Sequence, residues 1–301
     1  MNQKPTRPTG SLIERAAEAY DFGDLLRPGA IPAETPAPAP KPKVAMPVAQ
    51  APVQSAPAEA LPVDLPMLRD AGFIIPGAPP SALSEEFRLV KRQLLIAAMG
   101  GHDSQPLRNG RLILVCSAQP NEGKTFCSVN LALSMASETD IEVLLVDADV
   151  AKPEILSTLG LAGSAGLMDA LADPSLDVER LIIKTDIPNL SVLPAGRQTH
   201  NDTELLASSR TRSLIDGLVK ANSRRIVLFD SAPALAASPA SVLALHVGQV
   251  LLVVRADQTS EGELREALAL VNACPHVQLM LNGVSFSGSN RKFGSYYGFG
   301  E

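Results

Sequence analysis

The 301-residue chain is poor in cysteine, with only Cys116, Cys127 and Cys274. Three scattered thiols without metal-ligand spacing exclude a disulfide framework and a zinc-type site, and they suit a reducing cytosol. Two of them fall in apolar stretches on either side of one turn, where small buried side chains are expected. Long apolar runs are also missing. None comes near the roughly 18 residues a membrane helix needs, so no spanning segment is expected. The first ten residues, MNQKPTRPTG, contain no apolar core of a secretory signal, and none is expected. Positive charge is not in surplus: the net charge is −6, which leaves no broad electrostatic footprint for nucleic acid. Tyrosine is scarce too. Of three in the chain, Tyr296 and Tyr297 lie within the last six residues, behind Arg291 and Lys292. An aromatic pair in a tail rich in Gly and Ser is no core element.

What the chain does contain is centred on Arg111 to Ala132, RLILVCSAQPNEGKTFCSVNLA. The apolar run Leu112 to Cys116 reads as a buried strand, a polar turn follows, and Gly123-Lys124-Thr125 opens an apolar helix. That is the setting of a phosphate-binding loop. The first turn of a helix presents unpaired N–H groups and partial positive charge to an anion. Gly123 allows close backbone approach, Lys124 can reach the β and γ oxygens, and the Thr125 hydroxyl can ligate Mg²⁺. The nucleotide-binding candidates are Ala118, Gln119, Pro120, Asn121, Glu122, Gly123, Lys124, Thr125 and Phe126; the usual first Gly is replaced by Ala118.

Two further apolar strands end in carboxylates. Glu142 to Val146 leads to Asp147-Ala-Asp149, and Arg225 to Phe229 leads to Asp230-Ser-Ala-Pro233. Acidic groups at strand ends beside a phosphate loop call for a cation, which a Mg²⁺–nucleotide supplies. With Leu190 to Leu193, Gln249 to Val254 and Gln278 to Leu281 as more strands, and helices at Glu204 to Ala221 and Glu261 to Ala273, strands alternate with helices. The fold class is therefore α/β: a P-loop NTPase-type, mainly parallel β-sheet with helices on both faces. Its ligand edge carries Lys124, Asp147, Asp149 and Asp230.

Four segments are expected. Residues 1–27 hold a short helix from Ser11 to Phe22. Residues 28–80 contain fourteen of the 25 prolines and read as an extended, disordered linker, with local packing possible only over Leu65 to Ile75. Residues 81–284 form the P-loop domain, and 285–301 a flexible, tyrosine-bearing tail. At the start of the domain, Ser84 is the expected N-cap of a helix. Its Phe87, Val90, Leu94 and Leu95 share one face, and Glu85, Arg88, Lys91 and Arg92 another.

From Ser84 onward these residues resemble the bacterial tyrosine kinases that govern polysaccharide synthesis and export. The likeness rests on Ala118 to Thr125, Val143 to Asp149, Ile226 to Asp230 and the terminal tyrosines. GLMDAL (Gly166 to Leu171), LPAGRQTHNDTELL (Leu193 to Leu206) and LNGV (Leu281 to Val284) are similar to the family as well. The loop wording QPNEGKT and the Pro-rich leader look most like the exosortase-associated autokinases. The resemblance implies a protein-tyrosine kinase using ATP and Mg²⁺. Lys124 would clamp the phosphates, and Thr125 and Asp230 would serve the metal. Asp147 would receive the tyrosine proton, Asp149 would act through the metal's water shell, and Asn282 would read adenine. Glu85, Arg88 and Lys91 match the family's Glu-x-x-Arg-x-x-Arg oligomerisation helix, with Lys at the third place. A ring-type homo-oligomer would then phosphorylate the Tyr296 and Tyr297 of neighbouring copies. The implied partners are a separate transmembrane polysaccharide co-polymerase as activator and a tyrosine phosphatase, with no nucleic acid. The location would be cytoplasmic, peripheral at the inner membrane.

The chain departs from the family at Ala151, where Arg is frequent, at Asp230-Ser-Ala-Pro233, where Asp-Thr-Pro-Pro is usual, and at Pro239, where an Asp stands. These departures keep open a nucleotide-switched scaffold of an export complex without kinase activity. A positioning ATPase of the division-site or partition type shares the fold. It would carry a signature lysine where this chain has Gln119.

Overall fold

The computed structural model describes residues 60–101 and 104–284. Seven strands form one sheet: β1 (Leu112–Ser117), β2 (Glu142–Ala148), β3 (Ile183–Lys184), β4 (Leu190–Leu193), β5 (Arg225–Ser231), β6 (Gln249–Arg255) and β7 (Val277–Asn282). Their order across the sheet is β3-β4-β2-β5-β1-β6-β7. Every pairing is parallel except that of β3 with β4. β1, β2 and β5 are buried along nearly their whole length, as continuous Val/Ile/Leu runs require when helices cover both faces.

Alternate residues of each strand feed two cores. Leu112, Leu114, Val227 and Phe229 pack on one face beneath α5 (Leu167–Ala172), α6 (Asp202–Leu206), α7 (Ser209–Ala221), α8 (Pro239–Ala244) and α9 (Glu261–Leu270). Ile113, Val115, Leu145 and Leu228 pack on the other. That face is covered by α1 (Leu65–Asp70), α2 (Ala82–Met99), α3 (Lys124–Ala136) and α4 (Ile155–Leu159). Among the described residues no helix is long and apolar enough to cross a membrane.

The strand assignments hold to within two residues, but several local expectations need correction. The helix expected from Ser84 begins at Ala82, capped by Ser81. Ser84 donates its N–H to the Ser81 hydroxyl at 3.2 Å, and Ser81 returns its own N–H to the Ser84 hydroxyl at 2.7 Å. With two serines three apart, the upstream one is the cap and the downstream one closes the box. The single helix expected from Glu204 to Ala221 is broken at Ala207-Ser208, because the Ser208 and Thr211 hydroxyls both claim the Leu205 carbonyl, at 2.6 and 2.8 Å. β3 and α8 are elements that the periodicity did not reveal.

The largest difference concerns residues 60–80, expected to belong to a disordered linker apart from local packing over Leu65 to Ile75. They form a strap on the domain. The Leu61 N–H bonds to the Lys184 carbonyl at 2.9 Å, that of Val63 to the Asp186 carboxylate at 2.9 Å, and that of Asp64 to the Leu159 carbonyl at 3.0 Å. Leu68 is completely buried. Phe73 lies against Phe126 with ring centroids 4.8 Å apart, and the Ile74 N–H reaches the Asn130 side chain at 2.8 Å. The expected helix at 11–22, the rest of the linker (28–59) and the tyrosine tail lie outside the described residues.

Candidate nucleotide site

The site is built where β1, β2 and β5 end. β1 and β5 run in parallel register with Val115 opposite Asp230, and β2 and β5 place Asp147 opposite Asp230. After β1 the chain turns through Asn121 and Gly123, both at positive φ (65° and 93°), into α3. At Gly123 the positive φ would strain any L side chain, and a Cβ would stand 2.2 Å from the Asn282 Nδ2, forcing that side chain to move. α3 has no side-chain cap and no acidic residue in its first turn. Its leading N–H groups and positive dipole end are thus left for an anionic ligand.

Lys124 and Asp149 make an ion pair of 2.8 Å with both side chains largely buried. Beneath it, Asp230 accepts a hydrogen bond from Ser128 at 3.0 Å, and the Thr125 hydroxyl stands close enough to favour its anion. Burial pushes the Asp230 carboxyl up to about 6 even though Lys124 and the two hydroxyls favour its anion. The lysine is raised above its ordinary value. Burial alone would lower it, but the charges of Asp230 and Asp149 prevail. Three buried carboxylates, Asp147, Asp149 and Asp230, thus stand against one buried ammonium. Asp149, Asp230 and the Thr125 hydroxyl are hard oxygen donors of the kind Mg²⁺ takes, although among the described residues no three acidic or imidazole side chains gather into a ready-made metal cage.

A cleft of about 500 Å³ opens above these groups. Of the expected residues it brings together Pro120, Asn121, Gly123, Lys124, Thr125, Phe126 and Asp149. The opposite rim is Ala151, Lys152 and Glu154, with Ala232 and Pro233 following β5. Ala118, Gln119 and Glu122 do not line it; the Glu122 side chain turns back to accept the Gln119 N–H at 2.9 Å. Asn282 sits beneath the loop and donates to the Glu122 carbonyl at 2.9 Å.

Asp147 is not on the cleft wall either. One carboxylate oxygen accepts the Ile155 N–H at 3.1 Å and the other the Asp149 N–H at 3.3 Å. Burial, reinforced by nearby Asp230, raises this carboxyl to about 7. Lys91, expected on an outward oligomerisation face with Glu85 and Arg88, is directed inward. Its ammonium bonds to the Ser134 carbonyl at 2.9 Å and pairs with Glu138 at 2.7 Å. The last carbonyls of α3 lack helical partners, so an adjacent cation is drawn to them. Arg88 stays exposed, paired with Glu85 at 3.1 Å.

Four participants escaped the sequence reading: Ser128, Phe73, Thr259 and Glu263. The first is one helical turn beyond Lys124, a spacing that could have singled it out. Ser260-x-x-Glu263 is a capping-box pattern directly after an apolar strand, so the start of α9 was legible although its contact with the loop was not. Phe73 lies in the Leu65 to Ile75 stretch expected to pack, but no local signal gives Phe126 as its partner.

Residues 110–279 match the AAA domain family. The putative tyrosine-protein kinase EpsB of Ralstonia solanacearum is 32% identical over 192 residues, 62% of this chain and 25% of that protein. The tyrosine-protein kinase YwqD of Bacillus subtilis is 28% identical over 222 residues, 73% of this chain and 88% of that one. The crystal structure of the VpsO kinase domain is 30% identical with a TM-score of 0.54, over 66% of this chain and 98% of the other. The chain thus spans a quarter of EpsB and most of YwqD. With over half its length inside the family profile and near-complete coverage of the VpsO kinase domain, the chain belongs to the AAA domain family, among the bacterial tyrosine kinases.

Proposed function

We propose that the chain is an ATP-dependent protein-tyrosine autokinase that phosphorylates Tyr296 and Tyr297 between copies and regulates exopolysaccharide synthesis and export. The observation that carries this reading is a cleft lined by Lys124, Thr125 and Asp149, with Asp230 buried beneath them against Ser128. The likeness to proteins named tyrosine-protein kinases selects kinase chemistry from the reactions such a cleft supports.

Phosphoryl transfer asks mainly for positioning and charge neutralisation. Lys124 exchanges Asp149 for the β and γ oxygens, and the uncapped end of α3 supplies N–H donors. Thr125 and Asp230 would hold Mg²⁺, which when bound neutralises phosphate charge. A carboxyl near 7 is matched to accept a proton around neutrality, which suits Asp147 as the base for the tyrosine hydroxyl. It stands behind the cleft wall, so the segment after it has to shift for a tyrosine hydroxyl to reach it. Asn282 serves the loop and the base-binding side together. Glu85 and Arg88 remain on the outer face for contacts between copies in a ring-type homo-oligomer. A separate transmembrane co-polymerase activates the chain and recruits it to the inner membrane from the cytoplasm, and a tyrosine phosphatase resets it.

A second reading is a nucleotide-switched scaffold without kinase activity. The retreat of Asp147 behind the cleft wall favours it.

The test is anti-phosphotyrosine detection on the full chain with Mg²⁺–ATP and a cytoplasmic peptide of the partner. Wild type is expected to label; Lys124→Ala and Asp147→Asn are expected not to, and Tyr296→Phe/Tyr297→Phe to lose the tail signal. Wild type that hydrolyses ATP yet never carries phosphotyrosine establishes the scaffold instead.

A further inference from the structure

Glu122 places a carboxylate inside the loop that receives phosphates. It is 4% exposed and makes no ion pair among the described residues. An anion there repels an incoming polyphosphate unless donors hold it on the far side of the loop. The two donors are the Gln119 N–H and the Thr259 hydroxyl. Thr259 comes from the turn after β6, 137 residues away in sequence. Its hydroxyl accepts the Arg255 N–H at 2.9 Å, which directs its own hydrogen toward Glu122. A second tie runs alongside: the Gln119 side-chain amide donates to one Glu263 oxygen at 3.0 Å. The other Glu263 oxygen accepts the N–H and the hydroxyl of Ser260, both at 2.8 Å, closing the cap of α9.

We propose that Thr259 and Glu263 are positioning residues that hold the phosphate loop in its receptive arc from behind. Neither lines the cleft. They act through Glu122 and Gln119, so that the loop's N–H groups converge before a nucleotide arrives and little ordering is left to the binding step. This rests on the nucleotide-binding reading of the cleft.

The test is titration of the full chain with fluorescent mant-ADP and Mg²⁺, alongside melting of the nucleotide-free variants. Thr259→Val removes the hydroxyl at nearly constant volume and is expected to weaken binding roughly tenfold, the effect of losing one hydrogen bond to a charged group. Thr259→Ser is expected to restore binding to within about threefold. Combining Thr259→Val with Glu122→Gln should cost less than the sum of the two alone, because both cut one tie. Wild-type affinity in Thr259→Val, a Ser variant as weak as the Val variant, or additive losses overturn the brace while leaving the nucleotide site standing. If Thr259→Val does not fold, Glu263→Ala with Gln119→Ala takes its place: sub-additive losses support the brace and additive ones overturn it. A wild-type chain that binds no mant-ADP overturns the nucleotide reading and the brace with it.

Discussion

Asp147 shows how burial sets the chemistry of a single carboxyl. Its ordinary value is 3.8 and its folded value about 7, so between these the folded chain holds a proton that the unfolded chain has released. The stability this group contributes is complete below about 4 and is lost as the pH rises through about 7. In the nucleotide-free protein, the melting temperature of Asp147→Asn minus that of wild type should therefore grow from about pH 5 to about pH 8. A difference that does not change with pH would show that this carboxyl is ionised throughout. Lys91 and Arg88 make a second contrast. One turn apart on α2, they match the same family motif, yet only Lys91 reaches the end of α3. Lys91→Ala removes a charge-assisted hydrogen bond to the Ser134 carbonyl, which keeps only the Ser137 hydroxyl at 2.7 Å, and should cost about 1–3 kcal/mol in a denaturant titration. Arg88→Ala breaks only an exposed pair three residues apart and should stay within about 0.5 kcal/mol.

At the scale of elements, the strap changes the domain boundary. Proline content predicts a linker through Pro80, with local packing only over Leu65 to Ile75. In fact Pro66 occupies the first turn of α1, where no N–H is needed, and Asp64 caps that helix through the Met67 N–H at 2.9 Å. The strap also touches two helices that follow cleft residues, without lining the cleft itself. It bonds to α4, which follows the Asp149 rim, and lays Phe73 at a tilt of 44° against Phe126 of α3. Leu68→Ala should destabilise the chain by about 2–5 kcal/mol, read from the urea midpoint, as for other fully buried leucines. A surface-like effect below about 0.5 kcal/mol would mean that the strap does not belong to the folded domain. The split of α6 from α7 was invisible for a related reason: helical periodicity continues across it, and only two hydroxyls competing for the Leu205 carbonyl break the ladder.

At the scale of the molecule, the central strands are buried and the ligand edge is their carboxyl end, so function concentrates where the sheet leaves backbone and carboxylates unpaired. A nucleotide that binds only the folded chain should raise its stability by about 2.7 kcal/mol at a hundredfold excess over the dissociation constant. Mg²⁺–ADP is expected to raise the melting temperature of wild type. EDTA should remove most of the shift, and Lys124→Ala should abolish it. A metal-independent shift would count against Thr125 and Asp230 as metal ligands.

Local signals are what the sequence by itself determined. These were the apolar runs that became strands, the Gly-Lys-Thr that opens α3, the aspartates that end β2 and β5, and hence the α/β class and the ligand edge. Each depends on neighbours within a few residues, whose chemistry periodicity exposes directly. Tertiary structure alone decided which of these groups face the cleft. It turned Asp147 and Glu122 away, drew Lys91 inward, folded the strap over α3 and α4, and brought Thr259 behind the loop. Asp147 is held by backbone N–H groups two and eight residues on, but the other outcomes rest on distant contacts, such as Lys91 with Ser134, Thr259 with Glu122 and Asn282 with Glu122, at separations of 43, 137 and 160. Across such separations the partner is chosen by which strands lie side by side and by which buried polar group still needs one.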